Sequence, residues 1–266
     1  MNQIKNPKIS VITVNLNNKE GLLKTITSVV SQTFKDFEYI LIDGASSDGS
    51  IDVIKQFSDK LSYWSNEPDT GVYNAMNKGI KMASGEYCLF LNSGDFLCNK
   101  SVLEDVFLKQ KSCDIIYGNL MYDNGTQISY LKQPEKLTFS YLFSKYLFHP
   151  ATFIKRDLFE RIGKYNDKML IASDYEFIFK AIVIHDATTE YVSIPVSQHD
   201  NKGISSLPEN FSLVISERNE VHKKYLPKIV IEEMNNLNYL SRFKYFNSLK
   251  EHPVRKKIIS FLLDKF

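Results

Sequence analysis

The sequence predicts an α/β fold, a mostly parallel sheet flanked by helices and followed by a helical C-terminal extension. Three observations predict it. Short apolar runs and stretches of helical periodicity alternate from Ile9 to Leu91. The segment from Glu67 to Asp95 reads as an acidic turn, an amphipathic helix, a glycine break, an apolar strand and a polar turn ending in a carboxylate. A second apolar strand ends the same way, at Asp43, before the turn GASSDGS. In open α/β sheets the carboxyl edge of the strands is where ligands bind. Two buried strands that each deliver a carboxylate to one rim therefore mark a candidate site for a nucleotide and a metal.

Taken in order, Ile9 to Val14 is a β-branched apolar run typical of a strand buried on both faces, and Asn15, Asn17 and Asn18 form the turn after it. Leu22, Ile26, Val29 and Val30 then recur at helical spacing. Phe37 to Ile42 is the second strand, and Ile51 to Phe57 the next helix, with Ser47, Asp48 or Ser50 as its N-cap. Leu61 to Ser65 reads as a short third strand. Met76 to Ala83 is a helix closed by Gly85 as a C′ residue, and Tyr87 to Leu91 is the fourth strand.

Beyond Asp95 the pattern changes. Val102 to Lys109 reads as a helix and Ile115 to Tyr122 as a strand, with Asn124-Gly125 as the hairpin turn into Gln127 to Leu131. Phe139 to Leu147 is aromatic-rich, and the segment Phe139 to Phe148 either lines a groove or belongs to the core. A strand at Thr152 to Ile154, a helix at Leu158 to Ile162, an apolar helix at Tyr175 to Ile184 opening at Ser173-Asp174, and a last strand at Val192 to Pro195 complete a domain expected to span 1–206. A helical extension is expected over 207–266.

At 266 residues, 43% hydrophobic and 24% charged, the composition is that of an ordinary globular protein. A net charge of +2 supplies no global basic field and no reason to expect nucleic acid as a partner. Three cysteines, an odd number without metal-like spacing, fit a reduced, cytoplasmic setting, with Cys88 as a small buried hydrophobe. The N-terminus offers no secretory apolar region, and no apolar run approaches the roughly 20 residues needed to span a bilayer. The C-terminal stretch sets Phe243, Tyr245, Phe246, Leu249, Ile258, Ile259, Phe261 and Leu262 among six basic residues from Arg242 to Lys257. Two readings fit it: an amphipathic helix packed on the domain or on a second subunit, or a basic surface resting on anionic lipid at the inner face of the membrane.

Four segments together resemble the family 2 glycosyltransferases, inverting enzymes of the GT-A (Rossmann-like) fold. They are ISVITVNLNNKEGLLKTITSVVSQTF, LIDGASSDGS, DTGVYNAMNKGIKMASGEYCLFLNSGD and HPATFIKRDLFERIGKYNDKMLIASDYEF, in the family's order over roughly residues 8 to 180. The resemblance implies transfer of a sugar from a nucleotide-sugar, a UDP-sugar favoured, to an acceptor hydroxyl with inversion, in bacterial surface-polysaccharide or lipid-linked glycan synthesis.

The resemblance also implies roles. Asp174 matches the acid used as catalytic base, to take the acceptor proton. Asp95 matches the metal-binding acid for Mn²⁺ or Mg²⁺, although Asn92 and Gly94 stand where relatives carry further acids. Asp43 would anchor the nucleoside, with Asn17 and backbone atoms near Val14 and Asn15 completing the base and ribose contacts. Asp48 would lie near that pocket or serve as an N-cap carboxylate. Asp69 and Gly71 open the helix carrying Asn77, and they would face the ribose or diphosphate or form an ordinary capping turn. Asn77 reads either as a donor contact or as solvent-exposed. Ser93 and Gly94 fall on the donor side of the same turn as Asp95.

His149 has a counterpart near the acceptor, and is otherwise a strand-edge residue. His199 is an additional candidate metal ligand, ahead of a segment in which Lys202 replaces the first glycine of the family's flexible loop. Two alternatives stand beside this reading: a polyprenyl-phosphate glycosyltransferase, whose anionic acceptor needs no strong base, and a non-catalytic nucleotide-sugar-binding subunit, suggested by the thinned acidic motif. An apolar helical tail also makes a homodimer through the C-terminal helices an expectation.

Overall fold

A computed structural model describes residues 6–200, 203 and 207–238. The basic aromatic C-terminal stretch and the loop bearing Lys202 lie outside the described residues.

The first half alternates as its sequence predicts. Strand β1 (Ile9–Asn15) is followed by α1 (Lys19–Val30), β2 (Phe37–Asp43), α2 (Ser50–Gln56), β3 (Tyr63–Asn66), α3 (Val72–Met82) and β4 (Tyr87–Phe90). These four strands run parallel, and Asn15 of β1 lies beside Asp43 of β2, which lies beside Asn66 of β3. Their carboxyl ends thus form one rim.

The second half extends the same sheet with β5 (Phe96–Leu97), α4 (Val102–Phe107), β6 (Ile115–Asp123), β7 (Ile128–Leu131), α5 (Phe139–Ser144), β8 (Thr152–Lys155), α6 (Arg156–Ile162), α7 (Ser173–Phe179) and β9 (Thr189–Asp200). The strand order is β3-β2-β1-β4-β8-β6-β9-β5, with β7 paired to β6. β8 is antiparallel to both β4 and β6, so the sheet changes direction beside the rim. After β9, α8 (Phe211–Tyr225) and a further helix over 228–238 form the helical C-terminal region.

Strands buried on both faces need apolar cover on each side. One layer sets Leu22, Ile26 and Val29 of α1, Val53 and Ile54 of α2, and Val102 and Val106 of α4 against Val11, Leu41 and Leu89. The opposite layer sets Tyr73, Met76 and Ile80 of α3, Phe159 of α6 and Phe177 of α7 against Ile12, Ile40, Ile42 and Phe90. A third cluster, Leu142, Ala172, Tyr175, Phe179 and Val221, joins α5, α7 and α8. Cys88 is fully buried in β4, and burial pushes its thiol up to about 12.

Several expectations need correction. Gly85 is not a left-handed helix cap, because α3 ends at Ala83 in extended geometry. Its absent side chain instead lets the loop cross β1: a Cβ there would meet the Ser10 nitrogen at 2.6 Å and the Ile9 carbonyl carbon at 2.7 Å. The helix before it starts earlier, at Val72, after Gly71 in a conformation (φ 141°) open to glycine. The N-cap of α2 is Gly49, and Asp48 acts one residue ahead of it. The apolar helix over Tyr175 to Ile184 opens at Ser173 as expected, but widens after Phe179, where the His185 N–H bonds to the Lys180 carbonyl five residues back. The last strand runs past Pro195 because that proline sits opposite Asn119 where the β6–β9 register shifts, a position that needs no ladder N–H. Among the described residues no helix is long and apolar enough to cross a membrane.

Candidate active site

The rim residues are held by their own side-chain bonds. Asn15 donates from Nδ2 to Asp43 Oδ1 at 2.7 Å, and Asp43 also accepts from Ser46, at Oδ1 from the hydroxyl (2.7 Å) and at Oδ2 from the backbone N–H (2.9 Å). Asp43 has no exposed surface. Its carboxylate shapes the β2–α2 turn. Asn17, in a left-handed conformation (φ 50°), ties the β1–α1 loop to that turn, its N–H bonding Ser46 Oγ and its Oδ1 accepting from the Ser47 N–H. Asp48 accepts from the Lys19 and Ser50 N–H groups and so joins the starts of α1 and α2. Slight burial opposes its charge, but these bonds hold its carboxyl below the ordinary value.

The turn after β4 is positioned by α1. The Val14 carbonyl accepts from the Ser93 N–H, and Asn18 donates from Nδ2 to the Ser93 carbonyl while its Oδ1 caps α1 at Gly21. Thr25 Oγ1 accepts from the Gly94 N–H and donates to the Asp95 carbonyl at 2.7 Å. Sequence names Asn18 only as part of the turn after β1 and does not mark Thr25; the one signal is that both polar residues fall where α1 meets the strand ends. Gly94 itself has φ 108°.

Just ahead of the neighbouring α3, Asp69 pairs with Lys78 of that helix at 2.6 Å and approaches Gly44, where a Cβ would lie 3.1 Å from Asp69 Oδ2. Asn77 uses its amide on both sides of Tyr165, donating to the carbonyl and accepting from the N–H. It therefore straps the β8–α7 region to α3.

Four ionisable side chains from separate elements form a line. His199, on β9, approaches Asp95 with Nδ1 2.5 Å from Oδ1. Asp95 Oδ2 lies 4.0 Å from His149 Nε2, and His149 Nδ1 lies 3.8 Å from Asp174 Oδ2. Asp174 ends the line, accepting from the Tyr73 hydroxyl at 2.9 Å. That hydroxyl is also 2.5 Å from the Ile171 carbonyl. Burial, and then the Asp174 carboxylate, hold the Tyr73 pKa well above its ordinary value, so it remains a donor. Asp174 is not the N-cap of α7, which is Ala172. Glu176 points away from the line, bonding Lys224 and Tyr225 of α8 at 2.7 and 2.9 Å. Tyr122 stacks on the His199 ring, centroids 6.1 Å apart.

Buried polar atoms in folded proteins almost always find partners. Asn15 Oδ1, Asn92 Oδ1, His149 Nε2 and Ser173 Oγ are buried and find no hydrogen-bond partner among the described residues. All four belong to the strand-end rim or flank the ionisable line. A carboxylate and an imidazole, Asp95 and His199, are donors suited to Mn²⁺. Among the described residues no group of three or more His, Cys, Asp or Glu could hold a metal ion. Two protein donors of this kind would hold a hard cation only with further oxygen ligands, such as those of a bound phosphate.

Known proteins resemble this chain in sequence or in fold. The model of the family described as Glycosyl transferase family 2 matches residues 10–186, well over half of the chain. A PGL/p-HBAD biosynthesis glycosyltransferase of Mycobacterium bovis is 30% identical over 204 residues, covering 74% of this chain and 78% of that protein. Among solved structures, TarS 1–349 of S. aureus aligns with a TM-score of 0.66 at 21% identity, over 85% of this chain and 69% of that one. The mannosyltransferase PcManGT of Pyrobaculum calidifontis aligns with a TM-score of 0.57 at 17% identity, over 74% and 57% of the two chains. On the family match and the sheet topology together, this chain belongs to glycosyl transferase family 2 and has the GT-A fold.

Proposed function

We propose that the protein is an inverting glycosyltransferase that moves a sugar from a nucleotide-sugar, a UDP-sugar in the first instance, to an acceptor hydroxyl during surface-polysaccharide or lipid-linked glycan assembly. The observation that carries this reading is the line His199–Asp95–His149–Asp174, which sets a partly exposed carboxylate apart from the buried Asp95. Inversion requires a base on the face opposite the leaving group. Asp174 is 25% exposed, and its Oδ1 is fixed by Tyr73. It is the group assigned to take the acceptor proton. His149 lies between the two carboxylates and helps set their separation.

Asp95 and His199 would hold a divalent cation, which when bound supplies positive charge against the developing negative charge of the diphosphate. The rim formed by Asn15, Asn17 and the Ser93-Gly94 turn is the assigned nucleotide side, with the unpartnered Asn15 Oδ1 as an acceptor for a base N–H. The donor class is supported by two neighbours: TarS has been solved with UDP-GlcNAc, and PcManGT with GDP-Man and Mn²⁺.

The test is calorimetric titration with UDP, GDP and dTDP, each with Mn²⁺, Mg²⁺ or EDTA, followed by turnover of the matching nucleotide-sugar. One nucleotide should bind in a metal-dependent manner. Asp174→Asn should lower turnover by about 100-fold or more while leaving nucleotide affinity nearly intact. Loss of nucleotide binding in folded Asp174→Asn would remove Asp174 from the role of base.

A further inference from the structure

Glu217 is a buried acid with an unusual set of partners. Its side chain belongs to α8, beyond the segment that matches the family, and the residue is only 7% exposed. Its carboxylate accepts three consecutive backbone N–H groups, from Leu170 at 2.7 Å, Ile171 at 3.0 Å and Ala172 at 2.8 Å. Those residues lead directly into α7 and Asp174. Ile171 presents its carbonyl to the same Tyr73 hydroxyl that bonds Asp174. The loop before the acid is thus gripped from α8 through its N–H groups and from α3 through a carbonyl.

We propose that Glu217 is a positioning residue for Asp174, which makes α8 a working part of the active site; the inference rests on Asp174 being the base. Three converging donors suit a carboxylate, whose two oxygens offer about four lone pairs. The corresponding glutamine offers one acceptor oxygen and turns an NH₂ group toward backbone donors. Misplacing a catalytic group by about 1 Å from a distance can cost about 100-fold in rate.

The docking of α8 does not depend on Glu217 alone. Arg218 donates to the Phe143 carbonyl, His222 meets the Tyr175 hydroxyl at 2.7 Å, Lys224 bonds Glu176, and Val221 is buried against Ala172 and Phe179. Glu217→Gln therefore loosens the loop while leaving the helix seated.

The experiment compares the full-length protein with Glu217→Gln, Val221→Ala and Asp174→Asn. It follows nucleotide release from UDP-GlcNAc or GDP-mannose with Mn²⁺, whichever the wild-type protein turns over, together with UDP or GDP affinity and amide exchange at Leu170, Ile171 and Ala172. Glu217→Gln should lower kcat by about tenfold or more, with KM for the donor and nucleotide Kd within about twofold of wild type. Exchange at the three amides should accelerate. Val221→Ala, which weakens the same interface without touching the loop's N–H groups, should lower Tm and leave kcat within about twofold. An inactive Asp174→Asn beside an undiminished kcat in Glu217→Gln would overturn the positioning role alone. Equal kcat losses in Glu217→Gln and Val221→Ala would also overturn it, by reducing Glu217 to general stability. Full turnover in Asp174→Asn would remove the base assignment and the inference with it.

Discussion

Acid should destabilise the fold through one histidine of α8. His222 is 5% exposed, its ring stacked on Phe143 with centroids 4.0 Å apart and an interplanar angle of 12°. Tyr175 donates to the Leu142 carbonyl, so the His222 Nε2–H donates to the Tyr175 oxygen. Burial, and then the nearby Arg218 guanidinium, lower the His222 pKa from 6.5 to about 4. A base whose folded pKa is depressed binds its proton first in the unfolded chain. Its contribution to stability is therefore complete above 6.5 and is lost as pH falls toward 4. Each unit of that interval is worth about 1.4 kcal/mol. Between about pH 7 and about pH 5 the loss is about 2 kcal/mol, rising toward about 3 kcal/mol near pH 4. The assay is urea unfolding at both pH values for the wild type and His222→Phe, which keeps a ring against Phe143 and cannot titrate. All other groups are common to the two proteins, so the wild type should lose about 2 kcal/mol more than the variant on acidification. Equal losses in the two proteins would refute a neutral, proton-excluding His222.

Three other perturbations have defined outcomes. Tyr73→Phe removes the hydroxyl shared by Ile171 and Asp174; stability should fall by about 1 kcal/mol in urea unfolding, and kcat should drop several-fold at unchanged nucleotide affinity. Gly85→Ala forces a methyl group into the Ile9–Ser10 backbone and should cost about 1–3 kcal/mol in the same assay, with UDP binding unaltered. His199→Ala should weaken Mn²⁺-dependent nucleotide binding by about tenfold or more and leave binding in EDTA unchanged, read by calorimetry.

Most of the fold was legible because its signals are local. The apolar runs of β1, β2 and β4 state their burial on both faces, and the spacing of Leu22, Ile26 and Val29 states which side of α1 meets the sheet. Boundaries were less legible where a contact outside the element decided them. Gly85 resembles a helix terminator in sequence, but the backbone of β1 is what excludes a side chain there. Pro195 looks like a strand end, and only the shifted β6–β9 register shows that its missing N–H is tolerated.

The sequence by itself determined the alternating elements, the strand ends that carry Asp43 and Asp95, and the acid Asp174 at the start of an apolar helix. It also carried the family resemblance that the match over residues 10–186 bears out. The tertiary structure decided which of these groups work together. It buried Asp43 among Asn15 and Ser46, spent Asn77 on Tyr165, and drew His199 and His149 from remote elements to either side of Asp95. It also set Glu217 under the loop that leads to Asp174. The physical reason is one of range. Periodicity and turn chemistry report the environment of a residue's own element. A carboxylate that bonds a histidine 104 positions away is specified only by how the strands cross and which edges they share.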